Sequence, residues 1–293
     1  MVAKIIDGKL IADRIRNDIA DAVAKYTEKT GHAPGLGVVL VGDDSASAMY
    51  VRMKRRACER VGMISEAQIL PASSTQSDVE SAVRQFNDDP NIHGILVQLP
   101  MPDHIDEEAV LNEVSLEKDV DGIHPINIGK LGMRGREPSF TPATPTGIMT
   151  LIAETGESVE GKQAVVVGRS NIVGLPISLM LMNANATVTT CHSRTKDLQG
   201  YLKNADIVIA AIGKPEFIKG EWLKDGAIVI DVGSNSVDDP STEKGYRYVG
   251  DVEFESANDV AGFITKVPGG VGPMTITTLL QNTMKAAQNV LDS

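Results

Sequence analysis

Tyr50 and Lys54 stand four residues apart in the stretch Tyr50-Val51-Arg52-Met53-Lys54. On a helix, that spacing puts both side chains on one face, one turn apart. A phenol placed there can hydrogen-bond the ammonium and hold it still. A lysine held in this way can give or take a proton, or stabilise developing negative charge. The plainer alternative is a solvated lysine beside a half-buried tyrosine, because charged helix faces are usually wet. Two more polar groups interrupt apolar sequence. Gln98 follows the run Gly94-Ile95-Leu96-Val97, where it either pairs with neighbouring backbone or faces a cleft. Asp121, between Val120 and Gly122, either accepts two hydrogen bonds from an amide-like ligand edge or is a turn residue satisfied by its own backbone.

A glycine loop carries the second chemical signal. Gly168-Arg169-Ser170-Asn171-Ile172-Val173-Gly174-Leu175-Pro176 follows the buried run Ala164 to Val167. Gly168 permits a tight turn and Gly174 permits close helix–strand packing, with the N–H groups of the helix start facing any phosphate. The spacing is G-x-S-x-x-x-G rather than G-x-G-x-x-G, so the loop by itself is a weak dinucleotide signal. The next run, Ala186 to Thr190, ends in Cys191-His192-Ser193-Arg194. NAD-selective sites place an acidic residue near this point to bind the ribose 2′-hydroxyl. Here Ser193 and Arg194 offer a hydroxyl and a cation, and Arg169 can converge on them. That set suits a 2′-phosphate and favours NADP.

The elements that must position these groups follow from periodicity. Asp7 to about Lys29 repeats Leu10, Ile11, Ile15, Ile19 and Val23 at helical spacing, ending at Gly31. Leu36 to Val41 reads as a buried strand, Asp43-Asp44-Ser45 as a turn, and Ser47 to Val61 as the helix bearing Tyr50 and Lys54. Strands are expected at Ile64 to Leu70 and Gly94 to Pro100, with helices at Ser77 to Asn87 and Glu107 to Asn112. The glycine- and proline-rich stretch from His124 to Gly147 reads as a long functional loop outside the core. A helix from Thr146 to Glu154 leads into a second α/β unit. Its further strands, Ile207 to Ala211 and Ala227 to Asp231, exit through Gly213 and Gly233. Alternating strands and helices imply a parallel, doubly wound sheet with ligands at the carboxyl ends of its strands. Pro268 to Pro273 reads as a rigid, helix-incompatible turn before a helix from Thr275 to Leu291.

Bulk composition narrows the function class. At 293 residues, 42% apolar and 23% charged, the chain supports two packed domains. A net charge of −11 argues against a nucleic-acid partner. Cys58 and Cys191 have no metal-ligand spacing and no disulfide framework, so a reducing cytoplasm, two buried thiols and no bound metal are expected. Met1 to Asp18 lacks the continuous apolar core of a signal peptide, and no run reaches membrane-spanning length.

Taken together, the chain resembles the bifunctional methylenetetrahydrofolate dehydrogenase/methenyltetrahydrofolate cyclohydrolase family. The matching stretches are Tyr50-Val51 with Lys54, Gly94 to Pro102, Lys118 to Gly122, Pro142 with Thr144-Pro145 and Gly147, Gly168 to Pro176, Asp231-Val232-Gly233, Gly250-Asp251-Val252 and Pro268 to Thr275. They occur in the family's order along almost the whole chain. The resemblance implies an α/β fold of two domains with a cleft between them. Residues 1–146 and 274–293 would form the catalytic folate domain, and 147–273 a Rossmann-type NADP domain. It implies Lys54 as the main acid/base residue, Tyr50 and Gln98 tuning it, and Asp121 anchoring the pterin, with Pro268 and Gly269 also at the folate. It implies NADP contacts from Gly168, Arg169, Ser170, Ser193, Arg194, Gly213 and the region of Ser234. A homodimer is expected. Lys266 departs from the family's usual proline. Arg52, Arg55 and Arg56 either steer the anionic ligands or are simply solvated. Two other classes compete: another two-domain NADP dehydrogenase of the shikimate type, and a non-catalytic dinucleotide-binding sensor.

The residues after the Ala186 strand generate a direct expectation. The ratio kcat/KM should be higher with NADP than with NAD, and equal or better use of NAD would contradict the reading. Arg169→Ala should weaken NADP by about 1.5–3 kcal/mol, as loss of a charge-assisted contact does, and leave NAD almost unaffected.

Overall fold

The computed structural model describes residues 2–243 and 245–292; Met1, Lys244 and Ser293 lie outside the described residues. In chain order the elements are β1 (Lys4–Ile6), α1 (Gly8–Thr30), β2 (Gly35–Val41), α2 (Ser45–Val61), β3 (Ile64–Leu70), α3 (Gln76–Asp88), β4 (Gly94–Val97) and α4 (Glu107–Glu113). There follow α5 (Pro125–Leu131), α6 (Ala143–Ala153), β5 (Gln163–Val167), α7 (Gly174–Asn183), β6 (Thr187–Cys191), α8 (Leu198–Leu202) and β7 (Ile207–Ala210). The chain ends with β8 (Ile228–Asp231), β9 (Asn235–Asp238), β10 (Tyr246–Val249), α9 (Phe254–Asn258), β11 (Phe263–Thr265) and α10 (Val271–Asp292).

These elements form two compact units. One takes in the chain up to Ala12 together with Thr144–Thr275, and the other takes in Asp13–Ala143 and the chain from Ile276 onward. The Asp13–Ala143 unit is built on a three-stranded parallel sheet in the order β3-β2-β4. All seven residues of β2 are buried, as an uninterrupted Gly-Leu-Gly-Val-Val-Leu-Val run requires. Ile19, Val23 and Tyr26 of α1, Val51 and Cys58 of α2, and Leu279, Leu280 and Met284 of α10 close over one side of the core. Asp44 starts α2 by accepting the Ser47 N–H at 2.7 Å, which satisfies a donor that the first turn leaves free.

The Thr144–Thr275 unit is a six-stranded sheet in the order β1-β11-β8-β7-β5-β6, parallel throughout. Strand β5 leads to β6 on one side, and the chain then crosses back to β7 on the other. That reversal is the topological switch point of a doubly wound sheet. A separate antiparallel hairpin joins β9 and β10.

The first twelve residues, expected with the catalytic domain, pack with the sheet unit, because Lys4, Ile5 and Ile6 pair with Phe263, Ile264 and Thr265. Three other expectations need correction. The His124–Gly147 stretch is not an open loop. It contains α5, starts α6 at Ala143, and buries Asn127, Leu131 and Phe140. Pro268 to Pro273 does not exclude the last helix. That helix begins at Val271, and Pro273 sits in its first turn, where no intrahelical N–H partner is needed. Strand β4 stops at Val97, so Gln98 lies just past its carboxyl end.

Asp44→Ala removes the side-chain cap of α2, the helix that carries Lys54. The expected cost is about 0.5–2 kcal/mol, read as a lower urea midpoint with unchanged slope.

Candidate functional site

The polar centre of the Asp13–Ala143 unit lies past the carboxyl end of β4. Helix α2 buries Ser47, Val51, Cys58 and Val61 along one stripe. Lys54, three residues after Val51 and four before Cys58, falls on that stripe, which is why its ammonium is drawn inward. Its Nζ donates to Gln98 Oε1 at 3.0 Å. Gln98 is itself held at both ends: its backbone N–H donates to Val39 O at 2.9 Å, and its Nε2 donates to Leu99 O at 2.7 Å. The Oε1 therefore has a fixed direction. Burial pushes the Lys54 ammonium below the ordinary lysine range, and the Asp121 charge pulls it partly back. Asp121 moves the other way: burial raises its carboxyl, and Lys54 opposes the rise.

The turn holding Asp121 is pinned through its backbone. Ala143 N–H donates to Asp121 O at 3.1 Å. Gly122 adopts φ +70°, and a Cβ there would lie 2.4 Å from the Thr141 carbonyl carbon, so this position requires glycine. Asp119 is buried. It accepts from the Ile123 and His124 N–H groups and from Asn127 Nδ2 at 2.7 Å, while burial pushes its carboxyl up to about 6. Among the described residues, the Asp121 carboxylate itself receives no hydrogen bond, so its acceptor sites are available to a ligand.

The sequence readings meet this geometry unevenly. Lys54, Gln98 and Asp121 lie in one unit, coupled by a hydrogen bond and by charge. Tyr50 is 38% exposed and makes no hydrogen bond to Lys54, whose partner is Gln98 instead of the phenol. Pro268 and Gly269 follow β11 and so belong to the other unit; Gly269 O accepts the Lys9 N–H at 2.9 Å. Lys266 is exposed, with its Nζ 5.8 Å from the Phe254 ring centroid. Arg52 and Arg56 are exposed, whereas Arg55 has its Nε buried without a partner.

In the sheet unit, the expected cofactor residues fall at one edge. Gly168 follows β5, Ser193 and Arg194 follow β6, Gly213 follows β7 and Ser234 follows β8. All four strands are parallel, so these are carboxyl ends flanking the switch point. A Cβ on Gly168 (φ +133°) would sit 2.2 Å from Ala211 O, and one on Gly174 would sit 2.4 Å from Gly168 O. Backbone thus approaches backbone at the turn, as a pyrophosphate-binding loop requires. Ser170 Oγ accepts the Val173 and Gly174 N–H groups at 3.3 and 3.4 Å. Arg169, Ser193 and Arg194 are all exposed. The β6 exit is a tight turn, with His192 N–H on Thr195 Oγ1 at 2.8 Å and Arg194 N–H on His192 Nδ1 at 3.2 Å. No carboxylate stands at this exit, so the donor set fits a 2′-phosphate.

Two buried aspartates had no assigned role in the sequence, and they organise this edge. Asp251, fully buried, accepts the N–H groups of Ile212, Gly213 and Lys214 at 2.6–3.0 Å and Asn235 Nδ2 at 3.0 Å. Asp231 accepts from Gly233, Asp251 and Val252, while burial pushes its carboxyl up to about 7. Both stand in stretches that carry the family resemblance, Asp231-Val232-Gly233 and Gly250-Asp251-Val252, but nothing local in the sequence marked either as a loop anchor.

Sheet order, glycine turn and cation-bearing β6 exit define one unit as a doubly wound dinucleotide-binding domain. The other unit is an α/β domain with a buried lysine–glutamine–aspartate centre. Residues 6–121 match the tetrahydrofolate dehydrogenase/cyclohydrolase catalytic domain, and residues 142–291 match the NAD(P)-binding domain of the same family. The bifunctional protein FolD 2 of Arabidopsis thaliana is 57% identical over 288 residues, covering 98% of this chain and 96% of that one. The bifunctional protein FolD of Geotalea uraniireducens is 53% identical, over 98% of this chain and 99% of that one. The structure of Trypanosoma brucei methylenetetrahydrofolate dehydrogenase-cyclohydrolase, complexed with NADP and inhibitor, superposes with a TM-score of 0.97 at 41% identity over all of both chains. The chain belongs to the tetrahydrofolate dehydrogenase/cyclohydrolase family, and the shikimate-type and sensor alternatives are set aside.

Asp251→Asn halves the acceptors offered to the Ile212–Lys214 turn. NADP affinity should fall about tenfold by calorimetry, and tetrahydrofolate affinity should stay at the parent value.

Proposed function

We propose that Lys54, Gln98 and Asp121 carry the folate chemistry of a bifunctional enzyme. The chain oxidises 5,10-methylenetetrahydrofolate to 5,10-methenyltetrahydrofolate with NADP, then hydrolyses that product to 10-formyltetrahydrofolate. The carrying observation is the Lys54 Nζ–Gln98 Oε1 contact of 3.0 Å on a lysine whose proton affinity burial has lowered.

The dinucleotide supplies the hydride acceptor when bound. Gly168 and Gly174 would leave room for its pyrophosphate. Arg169, Ser193 and Arg194 would hold its 2′-phosphate, with Gly213 and Ser234 at neighbouring strand exits. For the folate, Asp121 offers a carboxylate without a protein donor, suited to the paired N–H groups of a pterin edge. Oxidation needs position and no protein base at the transfer itself. Hydrolysis is different: the attacking water gives up two protons as its oxygen becomes the formyl carbonyl and the C–N5 bond breaks, one proton going to the departing N5 and the other leaving to solvent. Lys54 Nζ is the group placed to exchange those protons, because a lysine with depressed proton affinity takes and returns one more readily than a solvated lysine does. Gln98 keeps Nζ aimed while its charge changes. We keep Tyr50 as a wall of the folate site.

We also propose a homodimer in a reducing compartment, the cytoplasm. Strand β3 is an edge strand with Ile64 45% and Ile69 62% exposed. A second copy covering that edge would remove exposed apolar surface and an open row of backbone groups. Both cysteines are free and buried. No described helix is long and apolar enough to cross a membrane.

Lys54→Met keeps the apolar stem and removes the titrating group. It should lose cyclohydrolase activity by at least about a hundredfold and retain a larger share of dehydrogenase activity. Methenyltetrahydrofolate should accumulate during turnover; near-normal hydrolysis in a folded variant would contradict the role. Ile69→Lys should convert the dimer to monomer in sedimentation, and a parent chain already monomeric at micromolar concentration would contradict the dimer.

A further inference from the structure

The carboxylate of Asp121 is oriented without a side-chain hydrogen bond, so its direction depends on what fixes the backbone on either side. Asn282, on α10, reaches both sides. Its Nδ2 donates to Val120 O at 2.8 Å and to Thr141 O at 3.2 Å. Val120 O is the carbonyl immediately before Asp121. Thr141 O belongs to the segment against which Gly122 packs and from which Ala143 N–H reaches Asp121 O. One buried amide thus bridges the two segments that define the Asp121 turn. Its own position is rigid: Asn282 is 8% exposed and lies on a helix whose Leu279, Leu280 and Met284 are in the core.

We infer that Asn282 is a positioning residue for the folate reactions, setting the direction of the Asp121 carboxylate through the Val120 and Thr141 carbonyls. The inference rests on the reading of Asp121 as the pterin anchor. Alternatives to a positioning role are weak on physical grounds. Asn282 does not touch the carboxylate, and a side chain needed only to fill the core would be apolar, because a buried amide gains nothing unless its polar atoms are paired. Without Asn282, the amide link between the Val120 and Thr141 carbonyls is lost, while the Ala143 N–H contact to Asp121 O and the Asp119 contacts remain.

The test compares three variants by tetrahydrofolate calorimetry, with NADP binding as the internal reference. Asp121→Asn should weaken tetrahydrofolate, which establishes the anchor; unchanged affinity would remove both the anchor and the positioning role. Asn282→Leu, of similar volume, should weaken tetrahydrofolate about tenfold, raise the folate KM in both activities, and leave NADP affinity unchanged. Leu280→Ala should destabilise the same helix by cavity formation and keep parent tetrahydrofolate affinity. If Asp121→Asn weakens binding and Asn282→Leu does not, or if Leu280→Ala produces the same loss, the positioning role is overturned and the anchor stands. If Asn282→Leu does not fold, Asn282→Asp decides. Its neutral carboxyl keeps one donor and its anion keeps none, so tetrahydrofolate affinity should fall with rising pH more steeply than in the parent. Parallel pH profiles would overturn the proposal.

Discussion

The structure of the catalytic unit depends on one constraint: a lysine is drawn into a helix's buried stripe and must still find a polar partner there. An ammonium taken out of water costs free energy unless it is paired or sheds its proton. Lys54 does some of each. Gln98 accepts from it without contributing a charge, so the nitrogen is aimed without being locked in the protonated form. Asp121 contributes a charge without a hydrogen bond, which keeps the proton available. A direct carboxylate pair would have raised the lysine's proton affinity and spoiled it as an exchanger. A dry apolar wall would have left it neutral. The neutral amide at 3.0 Å is the intermediate solution.

Both units solve the placement problem in the same way. Parallel strands bring several carboxyl ends to one edge, and short turns there present backbone and side chains to a ligand. In the catalytic unit those ends carry Gln98 and the approach to α2. In the dinucleotide unit they carry Gly168, Ser193, Gly213 and Ser234. Each edge is stiffened from behind by buried carboxylates that accept several backbone N–H groups: Asp119 under one turn, and Asp231 and Asp251 under the others. Such groups position the loops without meeting the ligand, and a carboxylate saturated with N–H donors tolerates burial that a bare one would not.

How much of this was legible follows the range of the interactions. Strand β2 was readable because Leu36 to Val41 is a short, valine-rich apolar run bounded by glycines, too short for a buried helix. The glycine loop and the Ser193-Arg194 exit were readable because local backbone chemistry dictates them. The setting of Lys54 was only half readable from its neighbours. Tyr50 suggested a partner one turn away, but the phenol is 38% exposed and the partner, Gln98, comes from the exit of β4. The stripe Val51-Lys54-Cys58 was the better signal, since it puts the lysine on the buried side. The strand at Lys4–Ile6 was illegible because three residues form it only by pairing with β11. Asn282 was illegible because its partners lie 162 and 141 residues away. The Pro268–Pro273 turn was misread because proline stops a helix in its interior and not in its first turn.

Burial, opposed by the Asp121 charge, lowers the proton affinity of Lys54. The direct measurement is a pH titration of the Lys54 Nζ chemical shift in 15N-lysine-labelled protein, with the signal assigned by its loss in Lys54→Met. The expected midpoint lies below that of the exposed lysines and falls further in Asp121→Asn because the opposing charge is gone. A midpoint that coincides with the exposed lysines, or that does not move in Asp121→Asn, would contradict it.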